Sequence, residues 1–101
     1  MKIRLSDHLE FAFGRFRSDG ACSAEAFRDD VLRPALREHK TVVVELDLRF
    51  GIPASWLEEC FGGLVRVGQS PRTLLRKISF VSSDTLLVAE ALAYIKNAKT
   101  K

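Results

Sequence analysis

The sequence predicts a single α/β domain with a mixed sheet flanked by helices, in the order β-β-α-β-α-β-α. Three observations carry that expectation. The first is a β-branched run, Val42, Val43 and Val44 followed by Leu46 and Leu48, too apolar for a one-sided surface strand and too short for a typical helix. It reads as the central strand. The second is apolar spacing of three and four residues on either side of that run, the pattern of amphipathic helices. The third is size: 101 residues, 47% hydrophobic and 29% charged, fit one ordinary globular domain spanning the whole chain. No repeat, linker or low-complexity segment interrupts it.

Ile3 and Leu5 alternate with Lys2 and Arg4 as a half-exposed strand would, and Phe11, Phe13 and Phe16 suggest a second strand, with Ser6 to Glu10 as the connection. Ser18, Asp19 and Gly20 make a turn, after which Ser23 caps a helix that buries Phe27, Val31, Ala35 and, on its flank, Leu32 and Leu36. Pro34 removes one intrahelical hydrogen bond and crowds Asp30, so a break is expected near Leu32. After the central strand, Ser55 and Glu58 are spaced as a capping box, and the helix they open buries Leu57, Cys60, Phe61, Leu64 and Val65. Gly62 and Gly63 lie inside that helix, which predicts close approach of its backbone to the sheet. Gly68 ends it, Gln69 to Arg72 read as a loop, and Ile78, Phe80 and Val81 read as a buried third strand. Ser82 to Thr85 then cap a last helix with Val88, Ala91, Leu92 and Ile95 on its inner face.

The net charge is +3, and the positive charge gathers in the last third as Arg66, Arg72, Arg76, Lys77, Lys96, Lys99 and Lys101 against Asp84 and Glu90. Lysines at a helix C-terminus complement the helix dipole, and contact with nucleic acid through Arg66, Arg72, Arg76 and Lys77 is the alternative reading. No apolar run approaches the roughly 20 residues of a membrane span, and KIRLSDHLE is too charged for a signal peptide, so a cytoplasmic protein without membrane contact is expected. Cys22 and Cys60 fall far apart in different element types and read as reduced thiols.

Neither His8 and His39 nor the two cysteines show the paired spacing of a zinc site, and no glycine-rich phosphate loop precedes a helix, so neither metal nor cofactor is expected. No histidine has a visible route to Ser55 or Cys60, which argues against an enzyme and leaves a Ser55 hydrolase without a base. Ser55 has two readings: a helix cap, or a hydroxyl placed where amides and the helix dipole would welcome a phosphate. Trp56, in register with Cys60, reads as a core filler. Exposed beside Ser55, it would mark an interface.

The segments GRFRSDGACSAEAFRDDVLRPAL, VVVELD and ASWLEECFGGLVR resemble the STAS-like domain family of unknown function, DUF4325, of bacteria and their mobile elements, over about Gly14 to Val81. The most specific part is Ser55, Leu57, Glu58, Phe61, Gly62, Gly63 and Leu64 after a strand and a loop. That family is in turn similar to the STAS domains of anti-sigma-factor antagonists, where a serine opening the helix after a central strand is phosphorylated by a partner kinase and controls binding. The resemblance implies a STAS-like fold, Ser55 as phosphoacceptor, and Arg49, Phe50, Ile52, Pro53, Ser55, Trp56 and Glu59 as the partner-docking positions. Pro53 and Ala54 replace the aspartate and serine that usually precede the phosphoacceptor, and Trp56 replaces a glycine.

The expected function is therefore a non-enzymatic regulatory module that binds a protein partner, with a histidine-kinase-like ATPase or an anti-sigma-type regulator as the class to look for. A small nucleic-acid-binding regulator is the alternative. A homodimer formed through Phe11, Phe13 and Phe16 is a further option.

Overall fold

In the structure, a computed structural model describing residues 1–98, the β-branched run forms β2 (Val42–Glu45) between β1 (Lys2–Arg4) and β3 (Ile78–Val81). It is the central strand. Both pairings are parallel, with Ile3 beside Val44 and Val44 beside Phe80, so the expected mixed sheet is corrected to a parallel one. In β3 the two-residue period sends Ile78 and Phe80 inward and leaves Val81, expected to be buried, 42% exposed.

The expected second N-terminal strand is not formed. Phe11, Phe13 and Phe16 lie in irregular backbone and are all exposed. Gly14 takes φ +83, which interrupts an extended run, and the backbone of this segment bonds to the next one instead of a strand. The Phe13 amide donates to the Cys22 carbonyl at 3.3 Å, and the Ala24 and Glu25 amides donate to the Gly14 and Arg15 carbonyls at 3.0 and 2.9 Å.

Residues 24–38 form one interrupted rod: α1 (Ala24–Phe27), a π turn over Arg28–Leu32, and α2 (Arg33–Glu38). The Ser23 hydroxyl accepts from the Ala26 amide at 3.2 Å, the expected cap. Pro34 is the second residue after the widened turn, so the break falls just ahead of it, where its missing amide and its ring require one. Residues 54–66 repeat the pattern with α3 (Ala54–Leu57), a π turn over Glu58–Gly62, and α4 (Gly63–Arg66). Leu57, Cys60, Phe61, Leu64 and Val65 are buried as their spacing predicts. The glycines, however, are crowded by neighbours other than the sheet. A Cβ on Gly62 would lie 3.4 Å from the Tyr94 carbonyl, and one on Gly63 would lie 2.5 Å from the Arg28 guanidinium. The rod ends in a Schellman turn: Gly68 takes φ +109, and the Gly68 and Gln69 amides donate to the Val65 and Leu64 carbonyls, each at 3.0 Å.

The Gln69 to Arg72 loop is corrected to a helix start, because α5 (Pro71–Lys77) begins there with Pro71 as its first residue and the Ser70 hydroxyl accepting from Thr73 at 3.4 Å. α6 (Thr85–Asn97) is capped by Asp84, which accepts from the Leu86 amide at 3.0 Å, and it buries Ala91 and Ile95 with Val88 and Leu92 half-buried. With each rod taken as one helix, the order is β-α-β-α-α-β-α in place of the expected one. Lys99 and Lys101, expected beside Lys96 at the end of the last helix, lie outside the described residues. Among the described residues no helix is long and apolar enough to cross a membrane.

Candidate functional site

Because the strands are parallel, the loops after β2 and β3 emerge at the same edge of the sheet, and a carboxylate joins them. Asp47 accepts from the Ser82 hydroxyl at 2.8 Å, the Ser83 amide at 3.0 Å and the Ser83 hydroxyl at 3.1 Å. These donors, the Ser82 hydroxyl foremost, hold the Asp47 carboxyl below its ordinary value because they favour its charged form. The Leu46 amide adds a backbone tie to the Val81 carbonyl at 2.9 Å. Between the two loops lies a groove of about 410 Å³ whose walls include Asp47, Leu48, Arg49, Gly51, Ser83 and Leu87. Gly51, at φ +74, lets the chain turn at the groove's lip. There the Arg49 guanidinium sits 5.4 Å from the centroid of Phe50, whose side chain is 69% exposed.

The structure brings Arg49, Phe50, Ile52, Pro53 and Ser55 onto one continuous surface stretch, with Ile52 half-buried and the others exposed. Trp56 and Glu59, the docking positions implied by the resemblance, are instead inside, which for Trp56 is the core-filler reading. Trp56 is fully buried, its indole N–H donating to the Cys22 carbonyl at 3.0 Å, and Glu59 faces Arg28 at 3.0 Å. Trp56 shares its helix face with the buried Cys60 four residues on, whereas Glu59, four residues from the exposed Ser55, is drawn inward by its pairing with Arg28.

The capping box is also corrected. Pro53 holds the N-cap position and offers no side-chain acceptor, Ser55 lies inside the first turn, and the Glu58 carboxylate is taken by Arg15 at 2.7 Å and by Arg66. Arg66, then Arg15, hold the Glu58 carboxyl below its ordinary value against the opposing effect of burial. Ser55 thus has no capping role and its side chain is exposed. Ser55→Ala is expected to change stability by less than about 0.5 kcal/mol, whereas Ser23→Ala, which removes a real cap, is expected to cost about 1 kcal/mol. Urea midpoints of the two variants separate these cases; equal losses would restore the Ser55 cap.

The four basic residues expected to contact nucleic acid divide. Arg66 is committed to Glu58 and Glu59, and the Lys77 ammonium donates to the Leu36 carbonyl. Arg72 and Arg76 remain exposed on α5. The cysteines are both unpaired, Cys60 within the core, where burial pushes its thiol well above the ordinary range, and Cys22 half-buried. Among the described residues no group of three or more His, Cys, Asp or Glu is placed to hold a metal ion.

Asp47, Ser82 and Ser83 are the site residues that the sequence does not single out. The available signal was an acid near the end of the apolar run that reads as the central strand, and a serine pair just beyond the next strand. Only the parallel pairing of β2 and β3 makes them neighbours.

Comparison with curated proteins and with solved structures gives no match for this chain. The model of one family matches residues 23–85, from the cap of α1 through the start of α6, more than half of the chain and all of the groove's walls but Leu87. The parallel α/β architecture, with a helix starting just past the loop after the central strand, accords with that match, and the chain belongs to the family described as the STAS-like domain of unknown function (DUF4325).

Proposed function

We propose that the domain is a non-enzymatic regulatory module that docks a protein partner on the edge where β2 and β3 leave the sheet, with Ser55 as a phosphorylation switch. The observation that carries the reading is the Arg49–Phe50 pair: an aromatic ring 69% exposed, held under a guanidinium on the lip of a groove. Aromatic and arginine side chains are the residue types that most often dominate binding at an interface. The exposed Ser55 hydroxyl, which has no structural duty, stands a few residues further along the same surface. A phosphate there adds close to two negative charges to the same exposed stretch as Arg49 and Phe50, enough to change the affinity of a partner that covers it. The partner class implied by similarity to anti-sigma-factor antagonists is a histidine-kinase-like ATPase.

The test uses wild type, Phe50→Asp, Ser55→Glu and Arg37→Glu as baits in the source cell, followed by titration of the captured protein, once purified, against each. Phe50→Asp is expected to weaken binding by about 30-fold or more, the effect of losing a hot-spot residue, with Arg37→Glu unchanged. Ser55→Glu is expected to shift affinity by roughly 10-fold without altering the thermal melt. Equal binding by wild type and a folded Phe50→Asp would overturn the docking edge. Unchanged binding by a folded Ser55→Glu would overturn the switch alone.

A further inference from the structure

The arginines and lysines fall into two sets. Lys2, Arg4, Arg15, Arg17, Arg28, Arg33 and Arg66 each reach a carboxylate within the fold. Arg37, Lys40, Arg49, Arg72, Arg76, Lys77 and Lys96 reach none among the described residues. Arg49 belongs to the groove. The rest share the opposite end of the sheet, and topology puts them there. In a parallel sheet every connecting segment must return to the amino-terminal pole before the next strand begins. Arg37 and Lys40 sit at the end of α2 and just before β2, while Arg76 and Lys77 end α5 directly before β3. The hydrogen bond from the Lys77 ammonium to the Leu36 carbonyl fastens these two segments side by side. α6 starts beyond the far end of β3 and packs along β3 and α5, which returns Lys96 to the same pole.

The helix dipole accounts for only part of this set. Cations in the last turn of a helix are favoured, which covers Arg37, Arg76, Lys77 and Lys96. Lys40 lies outside any helix, and Arg72 occupies the first turn of α5, where the dipole opposes a positive charge. Glu38 is the one acidic residue on these segments (37–40, 69–77 and 96–98), so the charge there is left largely uncompensated.

We infer that this pole is a second binding surface, distinct from the docking edge, and that it takes the phosphate backbone of duplex nucleic acid without reading sequence. The segments carry no Phe, Tyr or Trp on which unpaired bases could stack, which favours a duplex over a single strand. The exposed phenylalanines that could anchor the chain in a lipid surface lie elsewhere, at Phe11, Phe13, Phe16 and Phe50. Arg37, Lys40, Arg72 and Arg76 are exposed and form the contact set; Lys77, half-buried and bonded to Leu36, braces it.

The test is fluorescence anisotropy of a labelled mixed-sequence DNA duplex titrated with the full chain across a salt series, with phosphatidylserine vesicles as a second probe. Four phosphate contacts give a log–log salt slope of about −3 to −4, or roughly 100-fold weaker binding between about 50 and 200 mM salt. The exposed pairs Arg37→Gln/Lys40→Gln and Arg72→Gln/Arg76→Gln, each checked by thermal melt, are expected to lower that slope by about 2 apiece. Arg49→Gln, on the far edge, is expected to leave duplex binding unchanged. No binding at about 50 mM salt, slopes unaltered in both folded pairs, an equal loss in Arg49→Gln, or vesicles bound in preference to duplex would each overturn the inference. None of these outcomes bears on the docking edge, which Phe50→Asp tests separately.

Discussion

Trp56→Ala is expected to lose about 3–5 kcal/mol of stability, a large share of the roughly 5–15 kcal/mol a domain of this size has. The indole is fully buried, 5.7 Å from Phe27 and 6.5 Å from Phe61, and Phe61 in turn lies 4.8 Å from Phe80 on β3. This aromatic chain links α1, the 54–66 rod and the sheet. Deleting its middle member opens a cavity that three separately anchored elements cannot close together. The indole N–H also ties the rod to the Cys22 carbonyl, which in the variant keeps the Phe13 amide as its partner. Trp56→Phe, which retains most of the volume and gives up the hydrogen bond, is expected to cost only about 1–2 kcal/mol. Urea unfolding followed by circular dichroism measures both. A loss below about 1 kcal/mol for Trp56→Ala would mean that the indole is not packed as the structure shows.

Arg28→Met is expected to cost about 3 kcal/mol near pH 7, because it removes the most buried partner of the Glu59 carboxylate and leaves only the more exposed Arg15 at 3.3 Å and Arg66 at 3.5 Å. The side chains are only 7% and 11% exposed, and Arg28 also donates to the Glu59 carbonyl at 3.3 Å, so one guanidinium clamps the π turns of both rods together. Replacing both partners with apolar residues, as in Arg28→Met/Glu59→Leu, is expected to recover most of the loss, since the pair's attraction largely offsets its desolvation. Acid sharpens the test. Arg28, foremost through its hydrogen bond, holds the Asp29 carboxyl below its ordinary value. That contribution is present above the ordinary carboxylate range and disappears as pH falls through the lowered value. The deficit of Arg28→Met relative to wild type is therefore expected to begin to narrow as pH falls below the ordinary carboxylate value of about 4, and to lose this contribution in full only once pH lies below the lowered value that Asp29 has in wild type. A deficit that stays constant down to acid pH would show that Arg28 acts by packing alone.

The elements with strong local signals were legible in advance. The β-branched run was the central strand, Ser23 was a cap, Pro34 marked a break and Gly68 a stop, because each depends on interactions within a few residues. Pro71 after Ser70 was an equally local helix signal, hidden by reading Gln69 to Arg72 as a loop. The N-terminal phenylalanines misled for a different reason. Aromatic residues favour strands only when a neighbouring strand is available, and here the backbone of residues 13–15 pairs with the segment leading into α1. The edge carrying Arg49, Phe50 and Ser55 could be located from its place after the central strand, whereas Asp47's bonds to Ser82 and Ser83 could not, since they join residues 35 and 36 positions apart.

What the sequence by itself determined is the class of fold, its central strand, most of its helical faces and its family. The tertiary structure alone decided that Ser55 is free of a cap, that Glu59 faces inward, and that unpaired cations gather at one pole. Each of these rests on competition between a local partner and a distant one: Glu58 could have bonded the Ser55 amide, but Arg15 and Arg66 offer a full opposite charge. A charge-assisted bond in a partly buried site outweighs a cap at the surface. Such partners come from other turns of the chain, and only folding brings them within reach.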